Sequence, residues 1–504
     1  MRKSIIVACC LILLGSGTAF AKGDTLTVAG TADAKTLDPH VTTDSWSNTS
    51  MRQVYESLVM FNGEGKLEPV LAEKYERLAD GKGFTFFLRK GVKFHNGEEM
   101  KADDVIFSFQ RATGPSSGLK AMSGSLDPEG LEKVDDYTVI VRTKQTMGTA
   151  FLASMNHPWA SILNKKAVEA AGRDYGMNPV GTGKYKFVSW RKGDRVIFER
   201  FDDYWGEKAK IKNLVLRAVV EATSRTIELE SGAVDASMDI PTVDIGRIQD
   251  NPKLRIDTQL SQRMYHVGVD TTLKPFDDPR VRQAISLCIN RAGVAKAVFR
   301  GNAEIARGLV SSAIPYNKYN ESPEMKIDIP QAKKLLAEAG FPNGFKTDLL
   351  SADRSDYMSI ATIVQADLAQ IGITAEIKVF EWGSYMDQVR QPGHPPFVNN
   401  WWGGAPDLDP FFLYTPAFHS KSPPTTNRYF YNNPRVDELL EQGMALLDGP
   451  ERAAAYGEVW DILNKDLPYI PIVAPGPVRG VIKELKGVRF TPSIIVYYGD
   501  AYFE

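Results

Sequence analysis

Reactive side chains are scarce in this chain of 504 residues. Of its 3 cysteines, Cys9 and Cys10 fall in an apolar N-terminal stretch, which leaves Cys288 alone in the body. A single cysteine excludes an internal disulfide, so stability must come from packing, and a chain of this length can bury ample core. Val281, Ala284, Ile285 and Cys288 follow the i, i+3, i+4, i+7 spacing of one helix face, which predicts a buried thiol. The 6 histidines (His40, His95, His157, His266, His394 and His419) show no local metal-ligand spacing. The one G-x-S-x-G string after the N-terminal stretch, Gly114 to Gly118, follows the helical run at 103–109 and no strand, so it is no nucleophile elbow, and no H-E-x-x-H occurs anywhere. Gly183-Lys184 has the last two letters of a phosphate loop, but Asn178 stands at its first glycine and Tyr185 replaces the Ser or Thr. Net charge is −2, so the chain carries no nucleic-acid footprint. No cofactor and no metal site is expected.

One apolar run stands apart. Arg2 and Lys3 precede Ile5 to Leu14, which is too short to span a bilayer as a stable helix. Ala19-Phe20-Ala21 then fits an A-x-A cleavage site. The pattern predicts a secretory signal over residues 1–21, cleaved after Ala21, and an exported, periplasmic protein. Too little apolar sequence precedes Cys9 and Cys10 for a lipid-anchored reading.

What the body does contain is an alternation of strand and helix signals. Phe84, Phe86 and Leu88 alternate with Thr85, Phe87 and Arg89, a period-two strand flanked by Gly-Lys turns. Asp103 and Asp104 open the apolar run Val105 to Phe109, as suits the positive end of a helix dipole. Strands are expected at 26–29, 136–142, 195–200, 211–220, 264–270 and 375–379. Helices are expected at 224–231, 331–339, 359–371, 435–447 and 451–464. Asp278 and Pro279 read as cap and first residue of another helix. Gly232, Gly340 and Gly372 read as helix stops. The fold class is α/β, in the sense of mixed α+β.

The literal strings are more specific than these patterns. Residues 55–110, NPVGTGKYKFVSWRKGDRVIFERFDDYWG from Asn178, PFDDPRVRQAISLCINR from Pro275, AKKLLAEAGFPNGF from Ala332 and PYIPIV at 468–473 resemble the family 5 extracellular solute-binding proteins of ABC importers. The resemblance covers nearly all of the chain after residue 21 and is strongest to dipeptide-binding members. It implies a two-lobe binding-protein fold with an additional third domain. Lobe I would comprise 22–58, 178–269 and 478–504, the extra domain 59–177 and lobe III 270–477. The hinge crossings would lie near Val269 and Gly476. A solute, peptide-like by this resemblance, would be captured between lobes I and III by a monomer and passed to membrane permease subunits.

The resemblance also directs attention to particular residues. Arg354 stands where an arginine of dipeptide binders holds the peptide carboxylate, and its rigid fork suits that group. The bland reading is a surface arginine paired with Asp353 or Asp356. Asn400 to Phe412 resembles the family's W-x-G-D-x-x-D-P stretch, which makes Trp401, Trp402, Gly403, Gly404 and Asp407 candidate ligand contacts. On a strand only one of the two tryptophans can face the cleft. The acidic residue that grips a peptide's α-amine is missing, since Gly404 and Ala405 occupy the two positions it could take. Asp407 lies close enough to replace it, or serves a turn. Asp409-Pro410 reads as the structural D-P turn. Ser45 and Trp46 occupy the lobe I loop that faces the cleft in relatives, and Pro241 to Val243 and Arg263 to His266 lie nearby on the same analogy. A modified or non-peptide solute (glutathione, an opine or a chelated metal) is the alternative within the class. A secreted hydrolase using Asp407 and Asp409 is the alternative outside it, and an adhesin or chemoreceptor partner is a third.

Overall fold

The computed structural model describes residues 23–62, 65–120, 122–259, 261–401, 408–491 and 495–504. Three larger sheets organise these residues, beside three two-stranded ribbons. The first has seven strands in the spatial order Leu254–Thr258, Val478–Ile482, Ala236–Ser237, Thr25–Gly30, Asn213–Ala218, Arg195–Arg200 and Tyr185–Arg191. The second has six, in the order Ala303–Ile305, Tyr469–Pro475, Met264–Gly268, Phe397–Trp401, Lys346–Ala352 and Thr374–Phe380. The third is an antiparallel sheet of Ala72–Arg77, Gly83–Leu88, Thr138–Thr143 and Leu126–Asp135.

Each sheet has its own apolar core, as layered domains require. Leu26, Val28, Leu214, Leu216 and Val481 fill the first. Val267, Leu349, Ile360, Val364, Val398 and Ile470 belong to the second. Phe84, Phe86, Val105, Phe109, Val139 and Trp159 make the third. The expected alternation of Phe84, Phe86 and Leu88 is the buried face of the strand Gly83–Leu88. Helix Ala102–Thr113 covers that face, with Asp103 and Asp104 in its first turn. Cys288 is buried on helix Pro279–Cys288, whose Asp278 cap accepts from the Arg280 amide.

Two placements differ from the sequence-based layout. Met264–Gly268, expected in lobe I, pairs on both sides within the second sheet, with Phe397–Trp401 and with Tyr469–Pro475. The chain therefore leaves the first sheet after Thr258 and enters the second at Met264, before Val269. Its partners lie more than a hundred residues downstream, where no local pattern reveals them. Leu163, Val168 and Tyr175, expected in the extra domain, pack into the core of the first sheet.

Candidate functional site

In open α/β sheets, ligands bind outside the carboxyl ends of the parallel strands. In the first sheet the parallel set is Thr25–Gly30, Asn213–Ala218 and Ala236–Ser237. In the second it is Lys346–Ala352, Thr374–Phe380 and Phe397–Trp401. Register shows how the two carboxyl edges are related. Val478 pairs with Thr258, and its carbonyl accepts from the Ile240 amide, just beyond the carboxyl end of Ala236–Ser237. Met264 pairs with Trp401, the carboxyl end of its strand. Both crossings, 259–263 and 476–477, thus join the carboxyl edge of one sheet to that of the other. They also touch: a Cβ on Gly476 would lie 2.1 Å from the Gln259 carbonyl oxygen. Two short, adjoining connections join the two carboxyl edges.

Arg354 follows the strand Lys346–Ala352 and occupies the N-cap position of helix Ser355–Ala369 in extended backbone. That helix begins four residues before the expected start at Ser359, which puts Arg354 at the strand–helix junction itself. Arg354 is exposed and forms no salt bridge with Asp353 or Asp356. Asp356 instead accepts a hydrogen bond from the Tyr265 hydroxyl. The guanidinium carbon of Arg354 lies 4.1 Å from the centre of the Trp382 ring and 6.0 Å from that of Tyr357. A cation over an aromatic face is held in place while its N–H fork stays available. Trp382 stacks in turn on Tyr385 with ring centres 5.8 Å apart. The Tyr357 hydroxyl donates to Asn399 Oδ1 at 3.3 Å and accepts from the Asn400 amide at 3.4 Å. Burial raises the Tyr357 phenol to about 12, so it stays protonated and can donate at neutral pH. The Arg354 platform is thereby tied to the strand that ends at Trp401.

Trp401 is the last residue of that strand. Trp402, Gly403, Gly404 and Asp407 lie outside the described residues. Asp409 is the N-cap of helix Pro410–Phe418, accepting from the Phe411 amide at 3.0 Å. Both its oxygens also lie 2.7 Å from Arg452 Nη2 in a buried pair. Its place at the helix start before Pro410 agrees with the D-P reading, and its carboxylate is engaged by Arg452.

On the first sheet, Ser45 opens helix Ser45–Met51, and Asp44 caps that helix by accepting from the Ser47 amide. Trp46 is 8% exposed and belongs to the core. Its indole covers Gly30, where a Cβ would approach the ring to 2.0 Å. Trp46 therefore backs the end of the central strand, and Ser45 and Trp46 lie in a helix and not in the loop that the resemblance implied. His266 is also interior: it is fully buried, its Nε2 is 2.8 Å from the Tyr429 hydroxyl, and burial lowers it to about 3. Among the described residues no group of three or more His, Cys, Asp or Glu could hold a metal ion.

Sequence reasoning missed Trp382, although the signal was there: it follows the parallel strand Thr374–Phe380 much as Arg354 follows its neighbour.

The profile of the bacterial extracellular solute-binding proteins, family 5 (middle region), matches residues 66–422. The chain is 31% identical over 510 residues to the glutathione-binding protein GsiB of Escherichia coli (strain K12), covering 99% of this chain and 98% of that protein. The solved structure of HbpA2 from Haemophilus parasuis superposes with a TM-score of 0.87 at 27% identity, over 95% of this chain and 100% of that one. The periplasmic binding protein DppA from Helicobacter pylori, associated with an ABC transporter and bound to the peptide STSA, gives 0.76 at 29% identity, over 95% and 98%.

Proposed function

Because the chain belongs to the bacterial extracellular solute-binding proteins of family 5, we propose that it captures a di- or short peptide-like solute in its interlobe cleft and delivers it to the permease subunits of an ABC importer. The observation that carries this reading is Arg354, an exposed guanidinium without an ion pair among the described residues, braced on Trp382 at a carboxyl end of the second sheet. It is suited to receive a free carboxylate through two parallel hydrogen bonds. Trp401, Trp402, Gly403, Gly404 and Asp407 would complete this side of the cleft. No covalent step is involved: affinity comes from charge pairing and desolvated hydrogen bonds, and closure is driven by contacts to both lobes. The protein acts as a monomer in the periplasm, after cleavage behind Ala21. In this layout lobe I is built on the first sheet, lobe III on the second and the extra domain on the third, with the hinge at 259–263 and 476–477.

A second reading names glutathione. The observation favouring it is the likeness, over 99% of the chain, to a protein named for binding glutathione. Glutathione is itself peptide-like and carries two carboxylates, so it suits Arg354 equally well. Thermal unfolding with di- and tripeptides, their C-terminal amides and glutathione separates the readings, because a ligand that binds only the native state raises the midpoint. Free-carboxylate peptides should raise it and their amides should not. A shift with glutathione alone selects the second reading, and no shift with any of these solutes overturns both.

A further inference from the structure

We propose that a cavity beside the ribbon of Val59–Phe61 and Leu67–Pro69 is a second binding site, for a small organic carboxylate held by Arg52 and Arg489. The site does not depend on the peptide reading above. The cavity has a volume of about 250 Å³, just below the roughly 300–1,000 Å³ of sites for drug-sized ligands. Lys184, on its wall, precedes the strand Tyr185–Arg191. That strand is antiparallel to Arg195–Arg200, which is antiparallel to Asn213–Ala218. The wall therefore reaches the amino edge of the first sheet, opposite the carboxyl edge that the crossings join. Arg354 and Trp382 are not among the described residues that line it.

Arg52 carries the site. It is 5% exposed, and among the described residues none of its guanidinium nitrogens has a hydrogen-bond partner. It follows helix Ser45–Met51, whose carboxyl end favours a cation, but its guanidinium bonds to no carbonyl there. A buried cation without a partner is costly, and such a group calls for a bound ion or water. Its field reaches the buried His157 ring, which burial and then the Arg52 charge hold down at about 3. Arg489 shares the wall. Its guanidinium carbon lies 4.0 Å from the centre of the Tyr497 ring, and its buried Nε is likewise without a partner.

The acids on the same wall are already engaged. Glu56 is buried and accepts from the Tyr204 hydroxyl at 2.6 Å, the Thr182 hydroxyl at 2.8 Å and the Trp205 indole at 3.1 Å. Asp500 pairs with Lys184 at 2.5 Å, and Glu68 accepts from the Asn62 side-chain amide at 2.7 Å. Both of these acids are exposed to water. Two guanidinium groups without an anion are thus left on one cavity wall. A carboxylate matches a guanidinium fork through two parallel hydrogen bonds. Met60, Val70 and Tyr497 give the same space an apolar and aromatic side, which suits the carbon skeleton of an organic acid better than a bare phosphate.

Ligand-observed fluorine NMR with para-fluorobenzoate and the neutral para-fluorobenzamide tests this, using wild type, Arg52→Met, Arg489→Gln and Arg354→Ala. Wild type should bind the benzoate and not the benzamide. Arg489→Gln changes a half-buried side chain and should weaken the benzoate by about tenfold or more. Arg52→Met should abolish its binding. Arg354→Ala, which disables the proposed cleft contact, should keep it. Thermal unfolding of dialysed protein adds a second measurement. Arg52→Met should unfold no lower than wild type, because it removes a buried charge that nothing pairs. A lower midpoint would show that the fold already satisfies Arg52, and the site would fall. It falls equally if wild type does not bind the benzoate, binds the benzamide as well, or responds to inorganic phosphate alone. Benzoate binding that Arg354→Ala abolishes belongs to the cleft, and that result also overturns the second site.

Discussion

Two arginines illustrate what a guanidinium does when it is exposed and when it is buried. Arg354 stands in solvent on an aromatic platform, where we propose that it receives the solute's carboxylate. Arg354→Ala should abolish the thermal shift given by free-carboxylate peptides while leaving the unliganded midpoint within about a degree, since surface changes usually cost under about 0.5 kcal/mol. Arg354→Lys keeps the charge but loses the fork, so titration should find intermediate affinity. A variant that binds as tightly as wild type would remove Arg354 from the site. Arg452 is the opposite case, almost fully buried against Asp409. Removing one partner strands a buried charge, so Arg452→Ala should cost about 3–5 kcal/mol in urea unfolding. A loss below about 1 kcal/mol would show that the pair is solvated.

At the scale of elements, glycine and tryptophan set how closely segments approach. Gly30 lies under the Trp46 indole, with no room for a methyl group. Gly30→Ala should destabilise by roughly 1–3 kcal/mol through overpacking, and Trp46→Leu in the same chain should recover part of that loss. Denaturation of the single and double variants checks it, and additive losses would refute the contact. Gly476 has the same role between the two crossings, where its α-carbon faces the Gln259 carbonyl. Gly476→Ala must push the connections apart. The expected result is a lower unfolding midpoint together with weaker solute affinity, because the proposed hinge lies in the same segments. Caps and stops were legible from sequence: Asp278, Gly232 and the first-turn acids of helix Ala102–Thr113 act locally, through bonds to nearby residues. The partners of strand Met264–Gly268 were not, because alternation identifies a strand and says nothing of its neighbours.

The whole molecule carries a pH dependence that no single element shows. Burial lowers His40, His157 and His266 to about 3 and His95 to about 4. In the unfolded chain each titrates near 6.5. Between about pH 6.5 and 4 the unfolded state therefore binds more protons, and stability falls as pH falls. The contribution is complete above about pH 6.5. Each histidine then removes up to about 1.4 kcal/mol per pH unit on the way down. Urea midpoints measured at pH 7.5, 6 and 5 should decline in that order. A flat profile would mean that these rings are solvated in the fold.

By itself the sequence determined the character of the protein: an α/β chain of the family 5 solute-binding type, held by packing without disulfides, with an arginine at a strand–helix junction. Those features are written in neighbouring residues, where turn chemistry, periodicity and side-chain type act over a few positions. Tertiary structure alone decided which edges meet. It drew Met264–Gly268 into the second sheet, sent Trp46 into the core and committed Asp409 to Arg452. Each of these depends on a partner far away in the chain, and a residue's charge or ring becomes a site only when packing leaves it unspent.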